Sequence, residues 1–125
     1  KGLKYNAYGG YIGMKYLLVI ILENENLTYP LIKKLNEKDI HGTVIPTTNM
    51  KSKLLHGEDE PLPSFGGLRH IVKPSFQENT TLLLVLKEET LEIAKQATRE
   101  VTENFKDDCG KMFALPLMFS EGHIA

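Results

Sequence analysis

The chain has 125 residues, of which 42% are hydrophobic and 25% charged, and this size and composition predict one globular domain with a modest core. Its 15 basic and 16 acidic residues give a formal net charge of −1, which excludes the broad basic surface of a nucleic-acid-binding protein. The single cysteine, Cys109, excludes an internal disulfide framework and a cysteine-based zinc site. Because a lone thiol suits a reducing compartment, we expect a cytoplasmic protein.

Residues 1–13, with the sequence KGLKYNAYGGYIG, differ in composition from the rest of the chain. They hold three tyrosines and four glycines, and they lack the continuous apolar segment of a signal peptide. An abrupt apolar run begins at Met14. We therefore predict that residues 1–13 are a leader or a loosely ordered extension foreign to the domain, and that residues 14–125 form the domain.

The sequence of the first part of the domain predicts a strand followed by a helix. Residues 15–22, KYLLVIIL, are a continuous apolar run rich in branched side chains, which is typical of a central strand covered on both faces, or on one face and by another subunit on the other. The run is too short to cross a membrane. Leucines then recur at intervals of four from Leu27 to Leu35 and predict a helix over residues 28–38.

An edge strand and a long loop are predicted next. Residues 40–50, IHGTVIPTTNM, combine a glycine turn with branched side chains, and Pro46 lacks the backbone donor that an inner strand needs. Residues 51–79 carry prolines, three glycines and the acidic cluster GEDE, which predict a long loop. A loop of this length in a small domain is uncommon unless it has a function or is disordered.

The last part of the domain predicts a strand, a helix and a final strand. Residues 80–86, TTLLLVL, predict a buried strand, and residues 87–105 carry apolar side chains at helical spacing. Residues 111–118, KMFALPLM, predict the last strand. The resulting order β-α-β-loop-β-α-β predicts an α+β ferredoxin-like sandwich with a long loop between its second and third strands.

The apolar strands carry a second prediction, which concerns assembly. In a ferredoxin-like sandwich, two helices cover one face of a four-stranded sheet. These strands do not alternate between apolar and polar residues, which indicates that the second face is apolar too. We therefore expect another subunit to cover that face.

Three segments of residues 14–125 resemble the PII signal-transduction proteins and their PII-like relatives. The segment MKYLLVII resembles the first strand of that family, LNEKDIHGTVIPTT resembles its passage from the first helix into the second strand, and GKMFALPL resembles its last strand. The resemblance implies a ferredoxin-like subunit in a compact homotrimer, with residues 51–79 as the T-loop that contacts a regulated protein partner. It also implies that a nucleotide, typically ATP or ADP, binds in clefts between subunits.

Gly110 and Lys111 match a glycine and a lysine of the family's last motif residue by residue. The resemblance implies that they approach the ligand phosphates, where glycine allows close backbone approach and lysine supplies a positive charge. Asp107 and Asp108 oppose this role, because they place carboxylates beside the phosphates. The residues alone are also consistent with a turn glycine before a strand and a lysine that solvates a sheet edge.

A second group of candidate ligand contacts lies at the entry to the predicted loop. The family carries a glycine-containing segment there, whereas this chain has NMKSK at residues 49–53. The candidates for contact with an anion are Asn49, Lys51, Ser52 and Lys53. The alternative is a solvated basic strand end without a ligand.

A third group of candidates lies within the loop, in the sequence GGLRH. Gly66, Gly67 and Arg69 could hold a phosphate between backbone amides and a guanidinium, or they could be flexible loop residues. No tyrosine lies between residues 51 and 79, so the tyrosine uridylylation of enteric family members is not expected. The acidic cluster GEDE indicates a solvated loop tip rather than a metal site, because no second histidine has ligand-like spacing.

We expect a regulatory homotrimer in which a small effector, an adenine nucleotide, binds between subunits and controls an enzyme or transporter through residues 51–79. One alternative is a ligand-independent or metal-handling assembly protein similar to the CutA-type trimers, which lack so long a loop at this position. Another is a cyclic-di-AMP receptor of the PII-like group, whose members have their longer loop before the last strand. The sequence lacks a nucleophile elbow, a Walker loop and a His-Glu zinc signature, so catalysis is not expected. Membrane insertion is not expected either.

Overall fold

A computed structural model of the chain describes residues 4–5, 11–56 and 79–125. These residues form an α+β structure with a four-stranded antiparallel sheet and three α-helices. The strands are β1 (Lys15–Leu22), β2 (Thr43–Thr47), β3 (Asn79–Lys87) and β4 (Gly110–Leu117). The helices are α1 (Thr28–Glu37), α2 (Met50–His56) and α3 (Glu88–Thr102). Near the N-terminus, Lys4–Tyr5 pairs with Tyr11–Ile12 as a short antiparallel ladder.

The strands of the sheet lie in the order β2-β3-β1-β4, and all neighbouring pairs are antiparallel. Each βαβ unit therefore spans one intervening strand, which is compatible with the predicted ferredoxin-like sandwich. Strands β2 and β4 are the edges of the sheet among the described strands. The prediction that Pro46 belongs to an edge strand is confirmed, because Pro46 lies within β2.

One face of the sheet is packed against α1 and α3 and forms the hydrophobic core. Alternate residues of β1 and β3 point to this face, so that Leu18 lies opposite Leu84 and Ile20 lies opposite Leu82. The buried core also includes Leu22, Leu31, Leu35, Ile40, Leu86, Leu91, Ala94 and Ala97. Leucines at intervals of four in α1 thus face the sheet, as the sequence predicts. Among the described residues, no helix is long and apolar enough to cross a membrane.

The opposite face of the sheet is also apolar, and we call it the open face. Its apolar residues alternate with the core residues and are Leu17, Val19, Ile21, Ile45, Leu83, Val85, Phe113 and Leu115. The polar residues Thr43, Thr47, Thr81 and Lys111 share this face. Phe113 and Leu115 of the edge strand β4 remain 46% and 48% exposed. Apolar side chains on both faces explain why the strands read as continuous apolar runs.

The predicted loop over residues 51–79 is wrong at both of its ends. Residues 51–56 belong to helix α2, and Asn79 is the first residue of β3. The side-chain Oδ1 of Asn49 accepts a hydrogen bond from the backbone N–H of Ser52 at 2.7 Å, which caps the start of α2. The rest of the predicted loop, residues 57–78, lies outside the described residues.

Helix α3 ends at Thr102, earlier than the predicted Phe105, because the backbone turns left-handed without a glycine. The φ angles of Glu103, Asn104 and Phe105 are 53°, 59° and 59°. Two hydrogen bonds hold this turn: the N–H of Asn104 donates to the carbonyl of Arg99 at 2.8 Å, and the N–H of Phe105 donates to Thr102 Oγ1 at 3.1 Å. Asp107 and Asp108 are left-handed as well.

We expect the Glu103→Gly variant to be more stable than the natural sequence by about 1 kcal/mol, because a non-glycine residue in the left-handed region is strained and glycine is favoured just after a helix. The Glu103 side chain contributes only an exposed ion pair with Lys106 at 3.8 Å, which adds little. Urea unfolding measures the difference. As a control, Glu92→Gly within α3 should lower stability by about 1 kcal/mol. Equal losses in both variants would contradict the strain at Glu103.

Candidate ligand-binding site

The predicted site residues that the structure describes all lie at one end of the sheet. At this end β1 and β2 finish and β3 and β4 begin: Thr47 pairs with Asn79, and Leu22 pairs with both Thr80 and Gly110. The connection from β2 into α2 therefore shares this end with the start of β4. The register of the sheet brings two distant parts of the sequence to a common end.

The two groups of candidates nevertheless lie at opposite edges of that end. Gly110 and Lys111 open the edge strand β4, whereas residues 49–53 follow the other edge strand, β2. Strands β1 and β3 lie between them, so the two edges are about 14 Å apart at the usual spacing of neighbouring strands. Within one copy, the width of the sheet therefore separates the two groups.

Backbone packing alone explains why a glycine stands at position 110, without a ligand. A Cβ atom at this position would collide with the carbonyl oxygen of Ile21 and would lie 3.2 Å from the Cα of Leu22. Strands β1 and β4 thus approach each other so closely at this point that only glycine fits. This geometry supports the alternative interpretation of Gly110 as a structural glycine at the start of the strand.

Lys111 lies on the open face, on the other side of the sheet from the nearby carboxylates. Its partner in the register is Ile21 of the open face, and its side chain is exposed. Asp107 and Asp108 instead line a cleft of about 340 Å³ together with Leu27 and residues at the end of α3. This cleft lies beside the helices, so an anion at Lys111 would approach from the opposite side of the sheet.

Cys109 lies in the same acidic cleft and is 8% exposed. Burial raises the pKa of its thiol, and the neighbouring Asp107 and Asp108 raise that pKa further. The thiol therefore stays protonated at neutral pH, which does not favour nucleophilic chemistry.

The candidates after β2 divide into one structural residue and two exposed cations. The Asn49 side chain is engaged as the cap of α2, and the N–H of Ser52 is its donor. Lys51 and Lys53 are exposed on the first turn of α2. The two lysines remain candidates for an anion, whereas the amide of Asn49 is already used. Gly66, Gly67 and Arg69 lie outside the described residues.

The sequence did not indicate a polar pair that lies on the open face near the same end of the sheet. Thr47 Oγ1 and Thr81 Oγ1 are 2.8 Å apart and hydrogen-bonded across β2 and β3. Thr47 follows a run of branched residues and Thr81 precedes another, so nothing in the sequence indicates that they face each other. They form a polar boundary between the apolar open face and the start of α2.

The sequence also did not indicate a groove between α1 and the edge strand β2. Its volume is about 340 Å³, and its lining is largely apolar. The lining residues are Tyr29, Ile32, Lys33, Leu35, Asn36, Ile40, His41, Gly42, Thr43, Val44, Leu82 and Leu84. Tyr29 and Val44 remain 73% and 49% exposed at its rim.

Comparisons with family models and with curated proteins supply no relative for this chain. No family model matches it, and no curated protein is significantly similar to it. Within the described residues, no cluster of three or more His, Cys, Asp or Glu side chains is arranged to hold a metal ion. Function has to be inferred from the residues and their positions in the fold.

Proposed function

We propose that this chain is a PII-like regulatory protein that forms a homotrimer and binds an anionic effector, an adenine nucleotide, between its subunits. The observation that carries the proposal is the position of the exposed lysines. Lys51 and Lys53 lie at one edge of the sheet and Lys111 lies at the other, all at the same end. Where the two edges of neighbouring copies meet, a ligand between the copies would contact both groups.

The open face supports assembly as the second part of the proposal. Phe113 and Leu115 remain about half exposed in one copy, and they continue an apolar surface across β1 and β3. Neighbouring exposed apolar side chains such as these two mark an interaction site in soluble proteins. A closed ring of identical copies with their open faces inward would bury it.

Phosphate chemistry fits the exposed groups at this end of the sheet. Lysine ammonium groups bind phosphate as mobile point charges, and backbone amides near Gly110 can approach an anion closely. Helix α2 directly precedes residues 57–78 in the sequence. A ligand that contacts Lys51 on this helix would therefore influence the segment that we propose to control the protein partner. Regulation requires the effector to favour one arrangement of that segment, because equal affinity for both shifts nothing.

Thermal unfolding with added nucleotides tests this function. The panel comprises ATP, ADP, AMP, cyclic AMP and cyclic-di-AMP, each with and without magnesium. A ligand that binds only the folded protein adds about 2.7 kcal/mol at 100 times its dissociation constant, which gives a clear shift. Lys111→Ala should weaken that binding by about 1–3 kcal/mol, whereas Lys38→Ala, an exposed lysine after α1, should leave it unchanged. If no nucleotide in the panel shifts the unfolding midpoint, the proposal of an adenine-nucleotide effector is wrong.

A ligand-independent assembly, similar to the CutA-type trimers, is the second candidate. It is favoured by the structural roles of Gly110 and Asn49, which account for two of the candidate residues without a ligand. The same experiment separates the two functions. A trimer that responds to no nucleotide supports the second candidate, and a trimer stabilised selectively by one nucleotide supports the first.

A further inference from the structure

We propose that β4 of one copy pairs antiparallel with β2 of the next copy, and that this pairing completes an anion site between Lys111 of the first copy and Lys51 of the second. The inference rests on the homotrimer and the anionic effector of the proposed function. It specifies the contact residue by residue. Phe113 lies opposite Ile45 of the neighbour, and Lys111 lies opposite Thr47.

The hydrogen-bonding direction of β4 follows from one bond just outside the strand. The N–H of Glu23 donates to the carbonyl of Cys109 at 2.7 Å, which continues the register that pairs Leu22 with Gly110. Hydrogen-bonded pairs alternate along an antiparallel ladder, so the odd-numbered residues of β4 bond to β1. Its even-numbered residues, from Gly110 to Pro116, therefore direct their backbone groups away from the sheet.

The same alternation fixes the hydrogen-bonding direction of β2 at the other edge. The register pairs even-numbered residues of β1 with even-numbered residues of β3, so the odd-numbered residues of β3 bond to β2. Leu83 pairs with Thr43, and Val44 and Pro46 therefore point outward. Both edge prolines, Pro46 and Pro116, thus lie where the sheet of one copy loses no hydrogen bond.

The outward backbone groups of the two strands are complementary in one register. With Val44 opposite Ala114, each N–H faces the carbonyl of the other residue, and the N–H of Met112 faces the carbonyl of Pro46. Every residue of β2 then lies opposite a residue of β4, and Pro116 lies beyond the start of β2. A shift of two residues in one direction moves the end of β2 past the first residue of β4. A shift in the other direction places Val44 opposite Pro116, which has no donor.

The side chains at the edges of the open face match in the same register. Phe113 and Ile45 are 46% and 37% exposed in one copy, and they become cross-strand neighbours. Within one copy Ile45 is level with Lys111, so the contact is offset by two residues, which tilts the strands as closure of a twisted sheet requires. A ring of this kind leaves neither edge free, whereas pairing two copies of β4 would leave β2 free.

The polar residues of the open face meet at the same contact. Lys111 lies opposite Thr47, whose Oγ1 is 2.8 Å from Thr81 Oγ1 within the neighbouring copy. Lys51 lies on the first turn of α2, which follows Thr47 along the chain. Ammonium groups of two copies and the threonine hydroxyls therefore converge on one anion, and neither copy supplies the complete set.

Disulfide formation between engineered cysteines tests the pairing. The variant Thr43→Cys with Leu115→Cys, in a Cys109→Ala background, places cysteines opposite each other in a pair without backbone bonds. The Cα atoms of such a pair are about 4.5 Å apart, which a disulfide can span, so oxidation should link the copies into covalent trimers. The control, Thr43→Cys with Lys111→Cys, offsets the cysteines by about 14 Å along the strands and should stay unlinked, as should each single variant.

The position of the link decides between this register and its alternatives. A trimer in which Thr43→Cys fails to link to Leu115→Cys, or links faster to Phe113→Cys, would overturn the pairing and leave the proposed trimer standing. A natural-sequence protein that is monomeric would overturn the pairing and the trimer together.

Mixed rings test whether the anion site is shared between copies. Lys111→Ala and Lys51→Ala should each weaken ATP binding about tenfold, because each removes one ammonium group from the site. When equal amounts of the two variants are co-expressed, every mixed ring of three keeps one intact site, so about a quarter of all sites should regain the natural affinity. Isothermal titration calorimetry measures the affinities and the fraction of sites.

Absence of recovery in the mixed rings would show that the two lysines do not act across the contact, and would overturn the shared site. If ATP does not bind the natural-sequence protein, the shared site and the proposed effector are both wrong. The disulfide result still decides the strand pairing in that case, because it needs no ligand.

Discussion

The Gly110→Ala variant is expected to lose about 3 kcal/mol of unfolding free energy, which is a large effect for the addition of one methyl group. The added Cβ would occupy the space of the Ile21 carbonyl oxygen in the central strand β1. A backbone atom cannot move aside as the end of a flexible side chain does, so β4 must separate from β1 at its first residues. The pairs Leu22–Gly110 and Ile21–Lys111 would be lost together. Urea unfolding, monitored by circular dichroism, measures the loss.

Gly122→Ala is the matched control for Gly110→Ala. Gly122 has a φ of 105°, and a Cβ added there would have no atom within 4 Å. Its replacement should therefore cost only the backbone strain of a positive φ, about 1–2 kcal/mol. Losses of equal size in the two variants would show that strand contact at Gly110 is not the cause. This experiment tests packing alone, so the ligand role of this loop is tested at Lys111.

The order of strands and helices could be predicted because each element carries a local pattern. Leucines at intervals of four mark the face of α1 that packs on the sheet, and Pro46 marks an edge strand. The absence of alternation in β1 correctly indicates an apolar open face. Each of these patterns involves only residues that are close together in the sequence, so the sequence alone predicts the element.

Helix α2 was not predicted, although its sequence contains a signal. Asn49 caps the helix, and Met50 and Leu54 recur at helical spacing. Met50 and Leu54 remain 86% and 84% exposed, so no contact with the core stabilises this two-turn helix in one copy. The prolines and glycines that follow in the segment favour a loop, and one short, capped helix is a weak signal beside them. The left-handed turn after α3 was not predictable for a different reason. Glycine usually marks such turns, but here Glu103, Asn104 and Phe105 form it.

The candidate site was only partly predictable, since its geometry depends on the register of distant strands. The sequence identifies Lys51 and Lys111 as exposed cations near strand ends. Only the pairing of β1 with its two neighbours places them at one end of the sheet and at opposite edges. The groove beside α1 is lined by residues of both α1 and β2, and the sequence, which predicts a glycine turn and a strand within residues 40–50, does not show that these residues come together. A site shared between copies leaves still less trace in the sequence of one copy.

The Phe113→Asp variant is expected to be monomeric at micromolar concentrations at which we expect the natural-sequence protein to form the proposed trimer. Phe113 lies on the open face opposite Val19 and is 46% exposed in one copy, so its replacement should leave the fold of the subunit intact. In the proposed ring, the open faces point inward, and three carboxylates would be removed from water close to one another. Sedimentation velocity measures the change. Thermal unfolding should also lose its dependence on protein concentration.

Ile93→Asp is the matched control, because it adds the same charge at an apolar residue of similar exposure, 42%, on the helical side of the domain. We expect this variant to remain a trimer with an unfolding midpoint that rises with protein concentration. Dissociation of both variants would indicate a general effect of charge rather than burial of the open face. A trimer that tolerates Phe113→Asp would place the subunit contact elsewhere, because three carboxylates at the centre of a closed apolar interface are incompatible with its stability.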